Sequence, residues 1–140
     1  MSRTVKIAAC QVGTVNRWDD RKATLNRLIK LLEDASAHGA RIALFPETAF
    51  TTFFPRYLFT SNAELDTFFE HGDITTAPQT CALFDRARDL HIDICIGFAE
   101  ATTSELAKST QDGGQCYNTC IYWSAHTDSV LSKYRKIHLP

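Results

Sequence analysis

One amphipathic segment set between two short apolar runs limits the folds open to this chain. Leu25, Leu28, Ile29, Leu32 and Ala35 recur at a 3.6-residue spacing, so Asn16 to Ala37 is expected to be a helix with one buried face. Asn16 is a candidate N-cap, Asp19 and Asp20 suit the positive end of the helix dipole, and Gly39 suits the position after its end. The flanking runs, Val5–Val12 and Arg41–Phe45, are too short for helices and rich in small and branched residues, which favours strands. Arg41–Phe45 is expected to be buried on both faces.

The same alternation continues. Ser61 to Glu64 fits a capping box opening a short helix through about Glu70. A second helix is expected from Thr75–Thr80 onward, with the stripe Leu83, Phe84, Ala87 and Leu90. Three strands follow, at His91–Glu100, Tyr117–Ala125 and Val130–Ile137. The polar stretch Thr102–Gln115, with Gly113 and Gly114, is expected to be a hairpin loop, and Thr127-Asp128 a turn. Strand–helix alternation followed by a meander gives a mixed α/β sheet with helices on one or both faces.

At 140 residues and a formal charge of −1, the chain has the size of one domain and no acidic or basic tail to bind nucleic acid or a membrane surface. No apolar run approaches the roughly 20 residues of a membrane span, and no signal-peptide pattern opens the chain, so a cytoplasmic protein is expected. Cys10, Cys81, Cys95, Cys116 and Cys120 are odd in number and lack a Cys-x-x-Cys pair, which favours reduced, mostly buried thiols. Cys116, Cys120, His126 and His138 are the obvious metal candidates. On one strand, however, Cys116 and Cys120 stand about 13 Å apart at roughly 3.3 Å per residue. Zinc–sulfur bonds of about 2.3 Å do not span that gap. No metal or cofactor is expected.

Two residues stand out chemically. Glu47 follows Ile42–Pro46 at the carboxyl end of a strand, where ligand sites of open α/β sheets gather. Partial burial there would raise its affinity for a proton and suit it to proton transfer. Lys136 shares a strand face with Tyr134 and His138, while Lys133, Arg135 and Ile137 take the other. An ammonium so placed can stabilise an oxyanion. Taken singly, each residue favours a bland role: a surface glutamate, or a solvated basic edge strand.

The two motifs together change that weighing. Ala43-Leu44-Phe45-Pro46-Glu47, preceded by an amphipathic helix and a first strand bearing Gln11, resembles the nitrilase, or carbon–nitrogen hydrolase, superfamily. Lys133-Tyr134-Arg135-Lys136-Ile137-His138-Leu139-Pro140 resembles it as well. The resemblance spans essentially the whole chain. It implies a four-layer α-β-β-α sandwich with a mixed sheet and a Glu–Lys–Cys catalytic set. Glu47 would be the general base for a cysteine thiol, and Lys136 the oxyanion donor. Thr51-Thr52-Phe53-Phe54-Pro55-Arg56, Ala63-Glu64-Leu65-Asp66 and Asn118-Thr119 resemble the N-carbamoyl-D-amino acid amidohydrolase branch. That branch implies a small carbamoyl amino acid or related amide as substrate, and a homo-oligomer as the full-length form.

The complete family domain is roughly twice this length, so residues 1–140 are expected to be its N-terminal half. The family's nucleophilic cysteine follows the lysine motif by a few tens of residues. None of the five cysteines is expected to replace it, because buried cysteine usually acts as a small hydrophobe. Phe53 and Phe54 are expected to pack beneath the site. The chain alone is expected to be inactive. The competing reading is a non-catalytic paralogue that binds a partner through an open sheet.

Overall fold

A computed structural model describes residues 4–102 and 116–138. The expected Gly113–Gly114 hairpin loop lies outside the described residues. One mixed sheet carries strands β1 (Ile7–Ala9), β2 (Ile42–Leu44), β3 (Glu70–His71), β4 (Asp93–Ala101), β5 (Cys116–Ser124) and β6 (Ser129–Arg135). Its order is β1-β2-β4-β5-β6, with β3 beside the far end of β4. β1, β2, β3 and β4 pair in parallel, and β4, β5 and β6 form the antiparallel meander.

Two helices cover one face of this sheet. α1 (Arg21–Ala37) buries Leu28, Leu32 and Ala35, as its stripe requires. A five-residue helix, α2 (Asn62–Asp66), follows in the loop region, and then α3 (Cys81–Leu90), which buries Leu83, Phe84 and Ala87. These side chains join Ala43, Ile94, Ile96, Ile121 and Trp123 in the main core. The Phe84 and Trp123 rings meet edge to face at 5.5 Å, which docks α3 on β5. The described residues thus form one helix layer and one sheet layer. No helix among the described residues is long and apolar enough to cross a membrane.

Several boundaries differ from the sequence expectation. α1 begins at Arg21 because Asp20, not Asn16, caps it; its carboxylate accepts from the Lys22 and Ala23 amides. Asn16 instead donates its backbone N–H to Asp19 at 2.9 Å, closing a separate turn. α2 ends at Asp66, and Glu70 pairs with β4 instead. Ser61 does cap α2, but the Glu64 carboxylate turns away to Arg17 rather than closing the box. Thr75–Thr80 forms turns, and α3 starts only at Cys81. β2 is not buried on both faces: Ala43 is buried, yet Leu44 is 44% exposed. Ile7 and Tyr134 on the same side as Leu44 are exposed too.

A buried carboxylate fastens β6 to the rest of the sheet. Glu100 on β4 is only 5% exposed and faces the helix side. It accepts from Thr119 on β5 at 2.8 Å and from Arg135 on β6 at 2.9 Å, and it also pairs with Lys133 on β6. Burial alone would raise its pKa; the hydrogen bonds from Arg135, Lys133 and Thr119 overcome that and hold it at about 2. The three donors span two strand positions, so this one side chain fixes β6 against β4 through β5.

The sign of the pH effect follows. An acid with a depressed folded pKa stabilises the fold above its unfolded value, and that contribution is lost as pH falls toward about 2. At 1.36 kcal/mol per unit the contribution is about 3 kcal/mol. Urea unfolding of the Glu100→Gln variant should show a lower midpoint at neutral pH. Its deficit should shrink as pH falls from about 4.5 toward about 2. An unchanged neutral midpoint would contradict the clamp.

Candidate active site

Glu47 is placed by an extension of strand pairing beyond β2. Phe45 N–H donates to Cys95 at 2.8 Å, Gly97 N–H to the Pro46 carbonyl at 3.2 Å, and Ala49 N–H to the Gly97 carbonyl at 2.9 Å. The chain therefore lies directly on β4 as it passes Pro46 and Glu47. Thr48 then takes φ 48°, the left-handed turn that carries the chain off the sheet. Gly97 permits the approach. A Cβ at that position would sit 2.8 Å from the Glu47 Cα and 3.0 Å from the Pro46 carbonyl oxygen, both backbone atoms.

Lys136 reaches Glu47 from the opposite end of the chain. β6 ends at Arg135, one residue earlier than a strand through Lys136 requires. Lys136 still donates its backbone N–H to the Asn118 carbonyl at 2.8 Å. Its Nζ donates to Glu47 Oε1 at 3.2 Å across 89 residues of sequence. Asn118 Nδ2, on β5, donates to the same oxygen. Among the described residues, Glu47 Oε2 accepts no hydrogen bond. Three elements thus converge: the end of β2 gives a carboxylate, β5 an amide donor, and the end of β6 an ammonium.

The expected burial of Glu47 is not found. Its side chain is 42% exposed, and that of Lys136 is 39% exposed. The reason is the open sheet side, where Leu44 and Tyr134 also meet solvent. The strand-face alternation holds through Arg135: Lys133 and Arg135 point to Glu100, and Tyr134 to the other side. His138 lies in coil past the strand and is exposed, so it does not share a strand face with Lys136.

Asn118 was not singled out as a site residue in the sequence. Its signal was present, since β5 needed only to be registered against β4 to set Asn118 opposite Ala99, two residues from Gly97.

The cysteines are less buried than expected. Only Cys10 is buried; Cys81, Cys95, Cys116 and Cys120 are half-buried. Burial still raises the pKa of Cys10. Burial, followed by the charge of Asp66, raises that of Cys116. Burial and the neighbouring Cys95 thiol, 3.6 Å away, push Cys120 to about 11. A thiol that holds its proton this firmly is a poor nucleophile near neutral pH. Cys116 and Cys120 lie on one strand, and among the described residues no three His, Cys, Asp or Glu side chains gather where they could share a metal ion.

Comparison with known proteins identifies the class. The carbon–nitrogen hydrolase family profile matches residues 6–140, and the chain belongs to that family. It is 27% identical over 140 residues to a nitrilase from Paraburkholderia phymatum, covering 96% of this chain and 37% of that protein. A carbon–nitrogen hydrolase from Helicobacter pylori G27 superposes with a TM-score of 0.72 at 14% identity, over 97% of this chain and 40% of that one. A mutant of the amidase from Nesterenkonia sp. AN1, with acrylamide added to its active-site cysteine, superposes with a TM-score of 0.64 at 20% identity. That match covers 98% of this chain and 46% of the amidase. The chain therefore spans less than half the length of these relatives. The mixed α/β sheet expected from the sequence is the fold they share.

Gly97→Ala should push the Pro46–Glu47 backbone off β4. The expected stability loss is about 1–3 kcal/mol, as for overpacking generally. Thermal unfolding should show a lower Tm, and the Glu47–Lys136 contact should open. A variant as stable as the parent, with the contact intact in its structure, would contradict this account.

Proposed function

We propose that the chain forms part of a hydrolase that cleaves a non-peptide carbon–nitrogen bond, with Glu47 as general base and Lys136 as oxyanion donor. The observation that carries this reading is the 3.2 Å contact between Lys136 Nζ and Glu47 Oε1, made by residues 89 positions apart. Glu47 accepts the proton of a cysteine thiol. The thiolate attacks the substrate carbon, and Lys136 stabilises the oxygen charge that develops. Glu47 returns the proton to the departing nitrogen, and water then hydrolyses the acyl-cysteine. Asn118 is a positioning residue, holding Glu47 Oε1 so that Oε2 is left to take the proton.

The nucleophile in this reading is supplied from outside residues 1–140, which form the N-terminal half of a four-layer sandwich. Two observations support it: the chain covers 37% of the P. phymatum nitrilase, and three of its own thiols are held protonated. The exposed side bearing Ile7, Leu44 and Tyr134 takes the second sheet, and the whole enzyme assembles as a homo-oligomer. The substrate we propose is an N-carbamoyl-D-amino acid, hydrolysed to the D-amino acid, carbon dioxide and ammonia. It rests on the likeness of Thr51–Arg56, Ala63–Asp66 and Asn118–Thr119 to that branch of the family. The nitrilase and amidase names of the relatives favour a nitrile or simple amide as the second reading.

In the full-length protein, Glu47→Gln should lower kcat by about 10²–10⁴, as for loss of a general base. Lys136→Ala should lower it by about 10²–10³, as for loss of an oxyanion donor. Ammonia release from matched nitrile, amide and N-carbamoyl substrates distinguishes the substrate classes. Near-parent rates in either variant would overturn the residue roles.

A further inference from the structure

The loop after Glu47 and the ends of β4 and β5 enclose a cleft of about 220 Å³ that the proposed chemistry does not use. Phe53, Phe54, Ala99 and Cys116 are among its apolar walls, and Glu47, Thr48, Tyr117 and Asn118 bring polar groups to the lining. Phe54 is buried against the rings of Phe68 and Phe69, at 5.4 and 5.1 Å, so that wall is rigid. Phe53 behaves differently from its neighbour. Its side chain does not pack beneath the site as expected but stays 40% exposed. An exposed ring beside a catalytic carboxylate is available to a ligand.

We infer that this cleft is the subsite for the apolar substituent of the substrate, and that it selects a single ring or a branched aliphatic chain over a hydrogen or methyl group. The inference rests on the hydrolase reading, because that reading places the reacting group at Glu47 and Lys136, next to the cleft. Size sets the class. A dry apolar cavity of about 150 Å³ already accepts one benzene ring. The cleft takes one ring with its linking carbon and falls below the roughly 300 Å³ of sites for larger, drug-sized ligands. Charge supports the same assignment. Among the described lining residues Glu47 is the only carboxylate and none is a lysine or arginine, so the cleft suits an apolar substituent better than a negatively charged one. Ala99 and Cys116 are the positions where a larger side chain would fill the space, which makes them, with Phe53, the specificity-determining residues.

The test uses the full-length protein and two probes, N-carbamoylglycine and N-carbamoyl-D-phenylglycine. In Cys116→Phe the phenyl-to-glycyl ratio of kcat/KM should fall at least about tenfold, the scale on which apolar pockets discriminate. In Phe53→Ala, which removes a wall without crowding the sheet, the ratio should fall severalfold. Phenylacetamide binding, followed by ligand-observed NMR, should weaken in both variants and persist in Glu47→Gln. Unchanged ratios and unchanged binding in both variants would overturn the subsite. Binding that responds as expected in a protein that hydrolyses none of the probes would sustain the subsite and sink the hydrolase reading. Turnover abolished by Glu47→Gln, with a ratio indifferent to Phe53 and Cys116, would do the reverse.

Discussion

The approach of the Pro46–Glu47 backbone to Gly97 is the contact on which the rest of the site depends. Backbone cannot lie on backbone across a pleated sheet where a side chain intervenes, and at Gly97 there is none. The Gly97 N–H and carbonyl therefore bond to Pro46 and Ala49, and the carboxylate of Glu47 is held over the middle of β4. From there it lies within reach of Asn118 on β5 and of Lys136 beyond β6. A glutamate delivered by a free loop would have no fixed height above the sheet, and its two donors would have nothing common to meet.

The opposite sheet face does matching work. Lys133 and Arg135 flank Tyr134 in sequence, and both turn to Glu100, while Lys136 just beyond them turns to Glu47. Two buried or sheet-borne carboxylates thus divide three neighbouring cations. Glu100 is deeply buried and ties β6 to the sheet; Glu47 is half-open and pairs with the lysine we propose as its catalytic partner. The strand alternation enforces the first division, and the end of β6 at Arg135 releases Lys136 into the second.

The sequence made the helix stripes and the meander legible, because apolar periodicity reports a buried face directly. It made Glu47 and Lys136 legible through their flanking motifs. It did not reveal the Glu100 clamp, since nothing local joins Glu100 to Lys133 and Arg135; only the register of β4, β5 and β6 brings them together. Asn118 was hidden for the same reason. The cap at Asp20 and the early end of α2 were missed because adjacent polar residues compete for the same backbone donors, and Glu64 found a better partner in Arg17. The burial of Glu47 was overestimated because a strand end was read as enclosed, whereas this side of the sheet is open at Leu44.

In the proposed mechanism Glu47 and Lys136 serve a cysteine outside these 140 residues. The most direct measurement is the position of the covalent intermediate, trapped with a slow amide or nitrile substrate in the full-length protein and mapped by peptide mass spectrometry. An acyl adduct is expected on a cysteine beyond residue 140, formed by the parent and lost in Glu47→Gln. An adduct on Cys10, Cys81, Cys95, Cys116 or Cys120, or one that forms equally well in Glu47→Gln, would contradict it.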